Sequence, residues 1–196
     1  MYRLTDILDP LNVLGMQRTS PINPSVVIKY NNTSVYFTAY YTGTLTVKYQ
    51  IAGEMQTATY PDTLSGTTLI INDVDLNSFV FLLGNITGVQ CLQNTTYIFA
   101  SQQVQSILFT NTTMLLEELD IHNAEQLTNI DTITSAPLRR MSVGTINTAT
   151  IANRLGQMIT NSTDPNGQLF VYDATDPNVG TVITAANNKG WTVQNL

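Results

Sequence analysis

The chain's one histidine, His122, sits in Asp120-Ile121-His122-Asn123. An imidazole near a carboxylate is the pairing from which acid–base and nucleophilic catalysis is usually built, because its charge changes near neutral pH. Alternation places His122 on the outward side of a strand, where a solvated surface residue is expected. No G-x-S-x-G, H-E-x-x-H or phosphate-loop spacing accompanies it. Enzyme chemistry is therefore not expected, and no catalytic residue or cofactor is assigned. Asp73-Val74-Asp75-Leu76-Asn77 opens like a calcium loop. Such a loop needs Gly at its sixth position and a bidentate Glu at its twelfth, and here Ser78 and Gly84 stand there. A polar loop between strands is expected, no metal ligand is assigned, and an irregular calcium site near Asp73–Asn77 is left open. Cys91 stands alone, which excludes an intrachain disulfide and a thiolate zinc cluster. It reads as a small buried hydrophobe.

Charged residues recur in register. Glu117, Glu118 and Asp120 precede Arg139, Arg140 and Ser142 by the same spacing. Stacked strands would set Glu117 beside Arg139 and Glu118 beside Arg140, an exposed ladder of about 0–1 kcal/mol per pair. The same residues are open to use as a binding face. Tyr36, Phe37, Tyr40, Tyr41 and Tyr49 could offer stacking surfaces for sugars, although alternation sends about half of them into the core. Sequons at Asn31, Asn32, Asn85, Asn94, Asn111 and Asn161 follow from the composition, and glycosylation is not expected.

That composition is unusual. Of 196 residues 43% are hydrophobic and 11% charged, with a net charge of −6. Thr and Asn make up about a quarter of the chain, well above ordinary usage. Thr favours strands, and Asn tolerates tight turns. The eight basic residues form no stripe, so nucleic acid is not an expected partner. No run is long and apolar enough for a membrane-spanning helix. MYRLTDILDPLNVLGM lacks a basic stretch followed by an unbroken apolar one, so it is not read as a secretion signal. A surface-type composition without such a signal fits a protein made in a cytosol and displayed after particle assembly.

The elements that must position these residues fall into four stretches. Residues 1–24 read as an arm, with Ile7, Leu11, Val13 and Leu14 apolar before Pro21 and Pro24. Its expected role is either to anchor the module to neighbours or to pack on its own domain. Residues 25–84 alternate with period two over Val26–Tyr30, Ser34–Tyr41, Leu45–Ile51, Gln56–Tyr60, Thr68–Ile71 and Phe79–Leu83, which predicts an antiparallel β-sandwich. Over residues 85–147 an L-x-x-L-x-L phrase recurs from Ile86, Val104, Leu116, Leu127 and Leu138. Alternate phrases align at about 22–23 residues, within the leucine-rich-repeat range. Residues 148–196 predict an α/β cap. Thr148 caps a helix with Ile151, Leu155, Met158 and Ile159 on one face, Leu169–Tyr172 form a strand, and a helix over Val179–Asn188 ends at Gly190.

Val104–Asn123 and its successor resemble the short leucine-rich repeats of surface and phage virion proteins from gut bacteria. The ending Gly190-Trp191-Thr192-Val193 is similar to that family's GWTV phrase, and the segment before the repeats looks like its PKD-like lead-in. The likeness covers roughly residues 42–193. The lead-in hairpin departs from the family's W-G-D-G pattern and reads Ile51-Ala52-Gly53-Glu54. The resemblance implies a mainly β fold with some α: a PKD- or immunoglobulin-like sandwich running into a short leucine-rich-repeat solenoid. It implies a non-enzymatic virion component (capsid decoration, head fibre or tail appendage) present in many copies or as a homo-oligomer. Its partners would be other virion proteins, with a host-surface glycan as a further one. A bacterial cell-surface adhesion module is the alternative.

Overall fold

Runs in which β-branched and aromatic residues alternate with Thr, Lys and Gln suit a pleated, half-buried surface. They form β1 (Val26–Tyr30), β2 (Val35–Ile51), β3 (Glu54–Tyr60), β4 (Thr68–Ile71) and β5 (Phe79–Cys91). These strands are antiparallel neighbours in the computed structural model, which describes residues 23–91, 94–110, 115–133 and 135–196. The arm expected at residues 1–24 lies almost wholly outside that set. Two separations drawn from the sequence disappear. Ser34–Tyr41 and Leu45–Ile51 belong to the single strand β2, and Phe79–Leu83 runs on into the first L-x-x-L-x-L phrase as β5. The sequence division at residue 84 therefore falls inside a strand.

The second half adds β6 (Thr95–Ala100), β7 (Ser106–Phe109), β8 (Glu118–Ile121), β9 (Asn129–Ile130), β10 (Arg140–Val143), β11 (Gln168–Val171) and β12 (Thr192–Asn195). Helix α1 (Ala149–Asn161) joins β10 to β11, and α2 (Val179–Lys189) joins β11 to β12. Over the described residues the protein is mainly β, with one mixed sheet and two α-helices. Pairing among β6, β8, β10, β11 and β12 is parallel, as it is along β5, β7 and β9. Glu118 lies opposite Arg140 and Ile121 opposite Val143, so alternate phrases meet at an offset of 22 residues. β6 escaped the sequence reading because Thr95-Thr96-Tyr97-Ile98-Phe99-Ala100 carries no L-x-x-L-x-L phrase. It is the joint of the sheet, antiparallel to β1 and parallel to β8.

One sheet becomes two walls because β2 and β5 are long and turn a corner together. Val35–Thr38 of β2 pairs with β4, whereas Leu45–Ile51 pairs with β3. On β5, Phe79–Leu82 faces β1, and Gly88–Cys91 faces β7. The register between β2 and β5 shifts between Thr42 and Thr46. At that corner Gly84 has φ 142°, and a Cβ there would lie 2.9 Å from the Thr44 carbonyl oxygen. Only glycine combines that backbone angle with that approach. The first wall runs β3-β2-β5-β1-β6-β8-β10-β11-β12, and the second joins β4, β2, β5, β7 and β9. Between them lies one apolar cluster that extends from Val26 to Trp191 and includes Phe37, Leu82, Ile107, Leu119, Met141 and Leu155.

The cap follows its sequence signals. Thr148 Oγ1 accepts from the Ile151 amide at the start of α1, whose buried side carries Ile151, Leu155, Met158 and Ile159. Gly190, with φ 84°, ends α2 in the left-handed conformation. Trp191 lies against Gly167, and its Nε1–H donates to the Asp164 carbonyl at 2.9 Å. Arg154 on α1 donates to the Ile130 carbonyl and to Asn129 Oδ1, both at 2.6 Å, across the outer edge of β9.

Cys91 is fully buried, and that burial pushes its thiol up to about 12; the Tyr30 and Tyr97 hydroxyls are raised for the same first reason. Folding thus favours the protonated forms. Their contribution is complete below the ordinary thiol value of 9.0 and is lost as pH rises through the raised values. The melting temperature should therefore decline from about pH 9 upward. Near pH 8 a disulfide reagent such as DTNB should label Cys91 only as fast as the chain unfolds. Labelling of the native protein within seconds would contradict this burial.

Candidate binding face

Residues opposite one another on neighbouring strands form rows across a sheet. On the first wall, Val26, Ile28, Val80, Leu82, Ile98 and Ala100 point into the core, and their alternates point out. One outward row runs Phe81, Val27, Phe99, Asp120, Ser142 and Phe170. Beside it run Phe79, Lys29, Tyr97, Glu118, Arg140 and Gln168. The outward side of the first strands is apolar in its own right. Val27, Phe81 and Tyr97 are buried there, with Met55, Phe79, Leu83 and Phe99 half-buried around them. The Phe79 ring meets Tyr97 edge-on at 5.6 Å, and Lys29 Nζ lies 5.6 Å from the Phe79 centroid. Four of the six phenylalanines thus stand on the outer face of one wall. Phe37 and Phe109 are the two in the core.

Further along the same face lies His122. It stands outward as the spacing expects, but it is not a free surface residue. Its side chain is 19% exposed, and its Nδ1 is 2.5 Å from Oδ1 of buried Asp120. Nε2 meets Asn123 Nδ2 at 2.7 Å. The neutral ring with its proton on Nδ1 satisfies both contacts, donating to Asp120 and accepting from the amide. Tyr172 stacks on the imidazole with centroids 4.3 Å apart and planes 23° apart, and Phe99 lies at 6.2 Å. With both nitrogens engaged and one ring face covered, the imidazole fixes the position of Tyr172. Burial, and then the Asp120 charge, raise the Tyr172 hydroxyl above its ordinary value.

The expected charge ladder forms. Arg139 reaches Glu117 at 2.8 Å and Glu118 at 3.8 Å, and Arg140 reaches Glu118 at 3.4 Å. The Arg139–Glu117 pair is largely exposed, so it contributes about 0–1 kcal/mol. Arg140 is also held by Phe170, whose centroid is 5.7 Å from the guanidinium carbon. Between this ladder and the turn before β11 the wall dips into an open depression of ≈ 300 Å³, lined by Glu118, Arg139, Arg140, Asp164, Asn166 and Gln168.

Other residues singled out in the sequence lie elsewhere. Asp75 uses both carboxylate oxygens, each 2.7 Å from a backbone amide of Ala52 or Gly53 in the β2–β3 turn. That turn places Ala52 and Gly53 at φ 52° and 79°, a pairing in which both amides converge on one acceptor. Asp75 is thereby committed to the hairpin. Phe37 and Tyr41 are core residues, Tyr36 and Tyr49 are half-buried, and Tyr40 is exposed on the second wall. Asn111 lies outside the described residues. The aromatics of the binding face were missed from the sequence, although Phe79-Val-Phe81 and Tyr97-Ile-Phe99 carry their signal. Both sides of those strands are apolar, which a solvated outer face does not require. Comparison with protein-family models, curated proteins and solved structures found no match for this chain.

Gly144 lies between His122 and Tyr172 in successive turns of the chain, and a Cβ there would collide with the His122 carbonyl oxygen. Gly144→Ala should cost about 1–3 kcal/mol, the usual range for overpacking a tight contact. Urea unfolding followed by circular dichroism checks this, and an unchanged midpoint would show that the approach is not constraining.

Proposed function

We propose that this chain is a non-enzymatic structural or accessory protein of a phage particle, acting as a rigid module that docks on another virion protein through the first wall. In this reading β1–β5 are a PKD-like sandwich, and the parallel strands are a short leucine-rich-repeat solenoid with an α/β cap. The offset of 22 residues between β8 and β10 supports the repeat. The resemblance in the repeats and in Gly190–Val193 supports the particle.

The observation that carries the docking surface is the pair of half-buried phenylalanines on the outer face, Phe79 and Phe99. Burying an aromatic side chain in a contact is worth about 1.5–3 kcal/mol, and aromatic anchors dominate the energetics of protein interfaces. A sheet face that served only solubility would gain nothing from the half-buried Phe79 and Phe99, seated on buried Phe81. The largely exposed Arg139–Glu117 pair beside it supplies part of the polar rim such contacts carry.

Particles carrying Phe99→Glu or Phe79→Glu should contain much less of the chain than wild type, by at least about tenfold for a lost anchor. Circular dichroism of the isolated variants should remain that of the folded protein. Quantitative mass spectrometry of purified particles reads the incorporation. Recovery of the wild-type chain in cell envelopes and not in particles would replace this reading with the cell-surface adhesion module.

A further inference from the structure

The polar depression beside the charge ladder differs from the rest of the face in what lines it. Glu118 and Asp164 bring two carboxylates, Arg139 and Arg140 two guanidinium groups, and Asn166 and Gln168 two primary amides. The formal charges cancel, so a charged ligand gains no net attraction. All six groups are planar hydrogen-bonding forks. A pair of neighbouring hydroxyls can donate to a carboxylate while accepting from a guanidinium or an amide. We infer that this depression is a subsite for a neutral, hydroxyl-rich sugar, which rests on the reading of the first wall as a binding face and names a second partner for it.

Three observations support the assignment. The first is unspent hydrogen-bonding capacity. Among the described residues the side-chain amides of Asn166 and Gln168 make no hydrogen bond, and the Asp164 carboxylate takes only the Asn166 amide, at 2.8 Å. The second is rigidity. Glu118, Arg140 and Gln168 lie directly opposite one another on three parallel strands. Arg140 is held between Glu118 and the Phe170 ring. The far wall of the depression is pinned because the Asp164 carbonyl accepts from Trp191 Nε1. Groups fixed before binding lose little entropy when a ligand arrives. The third is size. A volume of ≈ 300 Å³ is at the lower end of small-molecule sites and accommodates a sugar ring or two.

The test is titration of the full chain, by isothermal calorimetry and by amide chemical shifts, with lactose, maltotriose, mannobiose and diacetylchitobiose, and with sialyllactose as the charged control. At least one neutral probe should bind saturably and shift the Asn166 and Gln168 signals. Gln168→Ala should weaken that binding about tenfold, the loss of one well-placed hydrogen bond. Asn166→Ala, in an exposed turn, is the second variant should Gln168→Ala unfold. The inference fails if no neutral probe saturates, if both variants bind as wild type does, or if sialyllactose binds more tightly than lactose. Incorporation separates the two proposals: a wild-type chain that enters particles normally yet binds no neutral probe removes this subsite and leaves the docking face standing.

Discussion

The corner at which β2 and β5 pass from one wall to the other is the constraint on which the rest of the structure depends. Because both strands continue through it, hydrogen bonding is unbroken from β4 to β12, and the two walls cannot be placed independently. Gly84 makes the passage possible by giving way to the Thr44 carbonyl. From that point the spacing of the walls follows, and with it the volume that Phe37, Leu82, Ile107 and Leu119 must fill. The antiparallel front and the parallel back share one interior. Loss of packing in either half is therefore expected to be felt by both, as in a single cooperative unit.

The same continuity explains why the outer face can be specialised. Parallel strands with a fixed offset bring like positions of successive turns together, so a row is a property of the whole wall. Asp120 faces Ser142 and Glu118 faces Arg140 because the register allows no other pairing. Chemistry placed at one phrase position is repeated, with variation, every 4.7–4.9 Å or so across the sheet.

Local signals in the sequence were sufficient wherever a residue acts on its own neighbours. Thr148 caps its helix, Gly190 ends one, and the 22-residue spacing reappears as strand register. Long-range consequences were not legible. Neither Thr42–Thr46 nor Gly84 announces that two strands bend together, since a polar, glycine-containing stretch also reads as a hairpin turn. β6 was hidden because it pairs with β1, some seventy residues earlier, and follows no repeat phrase. His122 looked solvated because alternation predicts which side a residue takes and not what its neighbours on that side will cover. The arrival of Tyr172 over its ring depends on Gly144, just past the end of the intervening strand.

Arg154 has a consequence for how such a chain can change length. By filling the hydrogen-bonding edge of β9 from α1, it closes the second wall two turns before the first wall ends, and helices occupy the place where further strands would stack. A strand stacked on β12 would leave that seal untouched but would extend the first wall alone. Turns that lengthen both walls must enter upstream of Asn129, before the edge that Arg154 fills. Growth of the two walls together is therefore confined to the middle, with the front corner and the rear seal carried along unchanged.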